Sequence, residues 1–110
     1  MFKKYVFLFF VISFIIPQGI SWKVWLNMFP ELEAIAKCES GFNSQAIGDH
    51  GKSIGLFQIH LPSYPTITKK QALDPYWSLA WAINRYYAGE LNIWVCHRIL
   101  TKNKGRVLNL

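Results

Sequence analysis

Apolar and polar positions recur with the period of a helix between residues 31 and 39. Three apolar residues and one acid share a face at spacings of three and four: Leu32, Ile35, Ala36 and Glu39. Pro30 suits the first position of a helix, and Gly41 suits the residue that ends one. The pattern therefore predicts a helix over about 30–40 whose apolar face carries Glu39 near its end.

The same pattern predicts further short helices along the chain. A helix is expected over 22–29, and Thr68 with Gln71 has the form of a capping box that opens another. Asp74-Pro75 is a start signal for a helix to about Ala88, in which Asn84 and Arg85 are expected to point outward. A last apolar helix is expected over 91–97.

A turn-rich segment separates these helices. Residues 42–54 carry Gly, Asn, Asp and Ser, which predicts a loop with a small β-hairpin that bends at Asp49-His50-Gly51. The segment 55–59 is interpreted as a helical turn. The fold class expected is mainly α with one small β element (α+β), in a single domain.

The first 21 residues have the layout of a signal peptide. Lys3 and Lys4 precede an apolar run, and Gly19 and Ser21 are small residues before a possible cut at Trp22. We therefore expect 1–21 to be removed and 22–110 to form a secreted or periplasmic domain without a stable membrane anchor. An uncleaved anchor is the alternative, although the apolar run is short for a membrane span.

The charge of the chain favours a polyanionic partner. Ten basic and six acidic residues remain after the two leader lysines are removed, a net charge of +4. Nucleic acid and the bacterial wall are both polyanions. No basic stripe is interleaved with stacking aromatic residues, so nucleic acid is not expected.

The two cysteines, Cys38 and Cys96, indicate a disulfide in an exported chain. It would close a loop of 59 residues and stabilise the fold by about 4 kcal/mol in the chain-entropy model. Two separate thiols or a metal pair are the alternatives, but neither alternative has supporting ligand spacing, and no histidine lies within four residues of Cys38. No metal site and no cofactor are expected.

Glu39 is unfavourable for stability where the pattern puts it. A carboxylate at a helix C-terminus meets the negative end of the helix dipole, and an apolar face removes its water. Both effects raise the pKa, which suits a general acid that must stay protonated near neutral pH. The alternative is an exposed glutamate at a frayed helix end.

The segment after Glu39 resembles the lysozyme-like superfamily, in its soluble lytic transglycosylase and goose-type lysozyme branch. The matching residues are Glu39-Ser40, Phe42-Asn43 and the run Ser-Ile-Gly-Leu-Phe-Gln-Ile at 53–59. The resemblance covers about residues 31–60 well and continues loosely to 94–97.

This resemblance implies cleavage of the β-1,4 bond between N-acetylmuramic acid and N-acetylglucosamine in peptidoglycan. Glu39 would protonate the glycosidic oxygen, and in transglycosylases the same residue then forms a 1,6-anhydro product. Ser53 and Gln58 would hydrogen-bond the sugars, and Gly55 would let the glycan approach closely. Ser40 either binds substrate or caps the helix, while Tyr86 matches a family tyrosine only in part.

Asp49 is the remaining candidate for a second carboxylate. It would orient water in a hydrolase of the lysozyme type, or it is an ordinary turn residue and leaves a one-carboxylate lyase. A peptidoglycan-binding protein without turnover is a further alternative. We expect a monomer whose partner is the glycan strand.

Overall fold

The computed structural model describes residues 19–108, with side chains described through Gly105. Five α-helices lie in this part of the chain: Trp22–Leu26 (α1), Pro30–Ser40 (α2), Lys69–Leu73 (α3), Pro75–Tyr87 (α4) and Val95–Leu108 (α5). Single 3-10 turns cover Asp49–Gly51, Leu61–Ser63 and Leu91–Ile93. The molecule is mainly helical with one small sheet, which confirms the expected fold class. Most of the expected leader lies outside the described residues.

The helix boundaries follow the local signals of the sequence. Pro30 opens α2, and Gly41 ends it in the left-handed conformation with φ 60°. Before α3, the Thr68 hydroxyl accepts from the Gln71 backbone N–H, and the Gln71 side chain accepts from the Thr68 N–H. Asp74 accepts from the first N–H groups of α4. These caps satisfy helix N–H groups with residues close in sequence, so they can be predicted from the sequence without knowledge of tertiary contacts.

Three two-residue strands form an antiparallel sheet in the order β1-β2-β3. They are Ile47–Gly48 (β1), Ser53–Ile54 (β2) and Ile59–His60 (β3). The expected hairpin corresponds to β1 and β2, with its bend at Asp49–Gly51.

The third strand corrects the helical turn expected over 55–59. Gly55 and Gln58 both have positive φ, at 85° and 48°, so the backbone reverses here instead of continuing as a helix. Ile59 then pairs with Ile54 on β2. Because both isoleucines are almost fully buried, core packing favours the strand over the helical turn.

Helix α4 lies at the centre of the fold and contacts α1, α2 and α3. Burial therefore extends beyond the single apolar face that its period suggested. Asn84 is only 1% exposed and Arg85 is half-buried, so the expectation that both point outward is wrong. Arg85 donates to the Asn84 side chain at 3.0 Å and forms an ion pair with Glu90 at 3.3 Å.

The disulfide joins Cys38 on α2 to Cys96 on α5, with 6.0 Å between the Cα atoms. It confirms the pairing expected from the sequence. The last helix differs from the expectation, since it begins at Val95 and continues through the basic segment to Leu108. Within the described part of the chain, no helix has both the length and the apolar character needed to cross a membrane.

Candidate active site

Glu39 lies in the last turn of α2, half-buried, with its carboxyl group close to the start of α5. The backbone N–H of Cys96 donates a hydrogen bond to this carboxyl group. Burial raises the pKa of Glu39 above its ordinary value, and the Cys96 hydrogen bond offsets only part of the rise. The disulfide therefore connects the residue before Glu39 to the residue that donates to its carboxyl group.

A cleft of about 290 Å³ opens beside Glu39. Eight residues line it: Glu39, Asp49, Ser53, Gln58, His60, Ile93, Trp94 and Val95. Four of the residues singled out from the sequence thus meet in one place, although up to 19 positions separate them along the chain. A larger cavity of about 590 Å³ lies at α1 and α2, but it gathers none of the residues singled out for the site.

The sheet forms the polar side of the cleft. Ser53 on β2 is the Cα partner of Gly48 on β1 and of His60 on β3, so these three residues form one row across the strands. Side chains at directly paired positions point to the same face of a sheet. Ser53 and His60 therefore project into the cleft together, and within the described residues the Ser53 hydroxyl has no hydrogen-bond partner.

Gly48 has no side chain in this row, and the side chain of Gln58 occupies the space beside it. A Cβ at Gly48 would overlap the Gln58 Oε1 atom, although the φ of Gly48, −128°, is open to any residue. A larger residue at position 48 would therefore displace the Gln58 amide. The amide of Gln58 occupies the space that a larger residue would fill.

The amide group of Gln58 is held by the backbone. Its Nε2 donates to the carbonyl oxygens of Ala46, at 3.2 Å, and Gly55, at 3.0 Å. An amide nitrogen has two hydrogens, so both donors are engaged and Oε1 is the atom that can still accept from a ligand. Gln58 thus shapes the wall of the cleft and offers a ligand one hydrogen-bond acceptor.

Asp49 and His60 form a polar pair at the edge of the cleft. His60 Nε2 lies 3.4 Å from Asp49 Oδ2, and His60 Nδ1 lies 2.8 Å from the hydroxyl oxygen of Ser63. Two roles were expected for Asp49: a turn residue, or a second carboxylate that orients water. The geometry is compatible with both, since Asp49 is part of the Asp49–Gly51 turn and its carboxylate also lines the cleft.

Three of the other expected substrate-binding residues lie outside the cleft lining. The Ser40 hydroxyl lies 2.7 Å from the Leu56 carbonyl oxygen and 3.0 Å from the Ala36 carbonyl oxygen. Of its two expected roles, these contacts favour capping the end of α2 over binding substrate. Gly55 is buried against the backbone carbonyl of Ala72, where a Cβ would collide. Tyr86 lines a separate cavity of about 210 Å³ and packs edge-on against Phe29 at 5.5 Å.

The apolar side of the cleft was not anticipated from the sequence. Ile93, Trp94 and Val95 reach it because the disulfide and the 3-10 turn at 91–93 return the chain to the end of α2. Trp94 is buried, and its Nε1 donates to the Phe57 carbonyl at 2.9 Å. His60 was missed for a similar reason, because its place in the row depends on the β2–β3 register.

Within residues whose side chains the structure describes, no group of three or more His, Cys, Asp and Glu side chains is close enough to hold a metal ion. The cleft lining offers one half-buried acid, one carboxylate paired with histidine, and neutral hydrogen-bonding groups. That set is suited to proton transfer at an oxygen atom.

Comparison of the chain with protein-family models, with curated proteins and with solved structures finds no match to any of them. The lysozyme-like resemblance therefore stays a prediction that rests on the motif residues themselves.

Proposed function

We propose that this protein cleaves the β-1,4 bond between N-acetylmuramic acid and N-acetylglucosamine in peptidoglycan and leaves 1,6-anhydromuramic ends. The observation that supports this most strongly is the environment of Glu39. Its carboxyl group has a raised pKa through burial and lines a cleft with Ser53 and Gln58. An acid with a raised pKa beside neutral hydrogen-bonding groups suits cleavage of a glycosidic bond.

The reaction uses Glu39 twice. First, the protonated carboxyl group donates its proton to the glycosidic oxygen, and the bond from that oxygen to the anomeric carbon breaks. The carboxylate then takes a proton from the 6-hydroxyl of the muramic residue while that oxygen bonds to the anomeric carbon. Glu39 ends protonated, no water is consumed, and the product is a 1,6-anhydro sugar.

A hydrolytic lysozyme is the second candidate, because Asp49 also lines the cleft. In that reaction water replaces the 6-hydroxyl and a second carboxylate takes its proton. The disulfide supports an oxidising compartment for either enzyme, which agrees with a secreted or periplasmic location.

Mass spectrometry of the products separates these functions. Purified peptidoglycan is incubated with the purified chain, its disulfide intact, beside a Glu39→Gln control. We expect muropeptides that are lighter by one water and have no reducing end as the main products, and a rate that falls by at least about 100-fold in the control.

Other outcomes select the alternatives. Products that all carry reducing ends, with no anhydro products, would identify a hydrolase. If the wild type and the control both bind the polymer and leave it intact, the protein is a binding module and the enzymatic proposal is wrong.

A further inference from the structure

His60 connects two side chains that the proposed reaction does not explain. Its ring lies between Asp49, in the Asp49–Gly51 turn, and Ser63, in the Leu61–Ser63 turn. The distances are 3.4 Å from Nε2 to Asp49 Oδ2 and 2.8 Å from Nδ1 to the Ser63 hydroxyl oxygen. Both ring nitrogens thus have a partner, and one partner is a carboxylate in the cleft.

Hydrogen-bond chemistry fixes how this chain is connected. An ionised carboxylate accepts only, so the ring proton that faces Asp49 lies on Nε2. In the neutral ring Nδ1 then accepts from the Ser63 hydroxyl. In the charged ring Nδ1 donates to the same hydroxyl, because a serine hydroxyl both donates and accepts. The Ser63 contact is therefore compatible with an Nε2–H that faces Asp49 in either charge state.

Asp49 belongs to a turn with an uncommon backbone conformation. Asp49, His50 and Gly51 all have positive φ, at 52°, 55° and 89°, and the first two are not glycine. Left-handed conformations at other residues persist when surrounding contacts hold them. Within the described residues, His60 is the partner of the Asp49 carboxylate.

We propose that His60 is a positioning residue that holds the Asp49 carboxylate in the cleft, where it takes a proton from water. The proposal rests on the proposed function and adds a hydrolytic branch to it. After Glu39 has protonated the leaving oxygen, the water oxygen bonds to the anomeric carbon and one water proton moves to Asp49. Asp49 then returns that proton through solvent while Glu39 is reprotonated, so one water is added for each bond broken.

Two substitutions of His60 separate its two contacts. The amide nitrogen of glutamine lies near the position of Nε2, so His60→Gln keeps a donor toward Asp49. The shorter side chain in His60→Asn puts its amide near the position of Nδ1, which keeps a partner for Ser63 and loses Asp49. His50→Asn is the matched control, since His50 is an exposed neighbour outside the cleft lining and asparagine tolerates its left-handed φ.

The readout is the ratio of reducing-end to anhydro products from purified peptidoglycan, with thermal unfolding measured for every variant. We expect both product types from the wild type. His60→Asn should lower the reducing-end products about tenfold relative to the anhydro products, as for loss of a hydrogen bond to a charged group. Asp49→Asn removes the proton acceptor itself and should lower them at least about 100-fold. His60→Gln should recover most of the ratio, and His50→Asn should keep it.

Three results would overturn the proposal. One is an unchanged ratio in His60→Asn. Another is an equal fall of both products together with a lower unfolding temperature, which indicates a structural role only. The third is a wild type that forms only anhydro products, in which case the proposed function stands without the hydrolytic branch. A wild type as inactive as Glu39→Gln would instead refute the proposed function itself, and this inference with it.

Discussion

At the scale of single residues, Glu39 illustrates a conflict between stability and the proposed function. Its helix stays intact to Ser40, so the glutamate is not at a frayed end, and its carboxyl group is half-buried beside α5. The pKa is raised because burial disfavours the charged form. The folded protein therefore holds the Glu39 proton more tightly than the unfolded chain does.

This linkage predicts the pH dependence of stability. Well below the ordinary glutamate pKa of 4.5, Glu39 is protonated in both the folded and the unfolded state, so its ionisation does not change the free energy of unfolding. As pH rises from 4.5 through the raised folded pKa, the unfolded chain releases the proton more readily, so the folded state loses stability. Glutamine stays neutral at every pH and can still accept from the Cys96 N–H.

We therefore expect Glu39→Gln to unfold at a higher temperature than the wild type at pH 7, and at nearly the same temperature below pH 4. Thermal unfolding followed by circular dichroism across this range measures the difference. Glu33→Gln, on the same helix but outside the cleft, is the control. A gap between wild type and Glu39→Gln that does not change with pH would contradict the assignment.

At the scale of elements, the site depends on how α2 and α5 are held together. Cys38 precedes Glu39 on α2, and Cys96, its disulfide partner, donates its backbone N–H to the Glu39 carboxyl group. The covalent bond and the hydrogen bond thus connect the same two segments. Stability and the position of the acid are coupled through this connection.

Removal of the disulfide should therefore affect both properties. For the double substitution Cys38→Ser and Cys96→Ser we expect a loss of about 4 kcal/mol in unfolding free energy. We also expect a loss of peptidoglycan cleavage at temperatures where the variant is still folded. Urea unfolding and product analysis at one low temperature measure the two effects. Full activity in a folded variant would show that the disulfide contributes to stability only.

At the scale of the whole molecule, the protein has a basic surface, which suits the negatively charged substrate of the proposed function. The full chain has a net charge of +6, and residues 91–110 contain no acid. Helix α5 carries much of this charge, including exposed Arg98, Lys102 and Lys104. Long-range attraction of this kind acts on binding rather than on the bond-breaking step.

Binding to peptidoglycan should therefore weaken as salt is added, because exposed charges are screened within about 8 Å at physiological ionic strength. Co-sedimentation of Glu39→Gln with purified peptidoglycan measures binding without cleavage. We expect the bound fraction to fall steadily from low salt to about 0.5 M. A variant with Lys102→Gln and Lys104→Gln should be less sensitive to salt. Binding that salt does not change would argue for recognition by the cleft alone.

The sequence by itself determined the features that depend on neighbouring residues. Pro30, Gly41, Thr68 and Asp74 mark helix ends because caps act on backbone groups within a few positions. The bend at Asp49–Gly51 could be predicted from the sequence for the same reason. The disulfide followed from the cysteine count, and Glu39 stood out by its place on an apolar helix face.

Only the tertiary structure decided which further residues join Glu39, Asp49, Ser53 and Gln58 in the cleft. The row that joins Ser53 to His60 exists because β3 pairs with β2, and core burial of the isoleucines selects that pairing. Gln58 occupies the space above Gly48, and Trp94 returns through the disulfide. Asn84 is buried because three helices surround α4. Such contacts join residues distant along the chain, so no local period or motif encodes them.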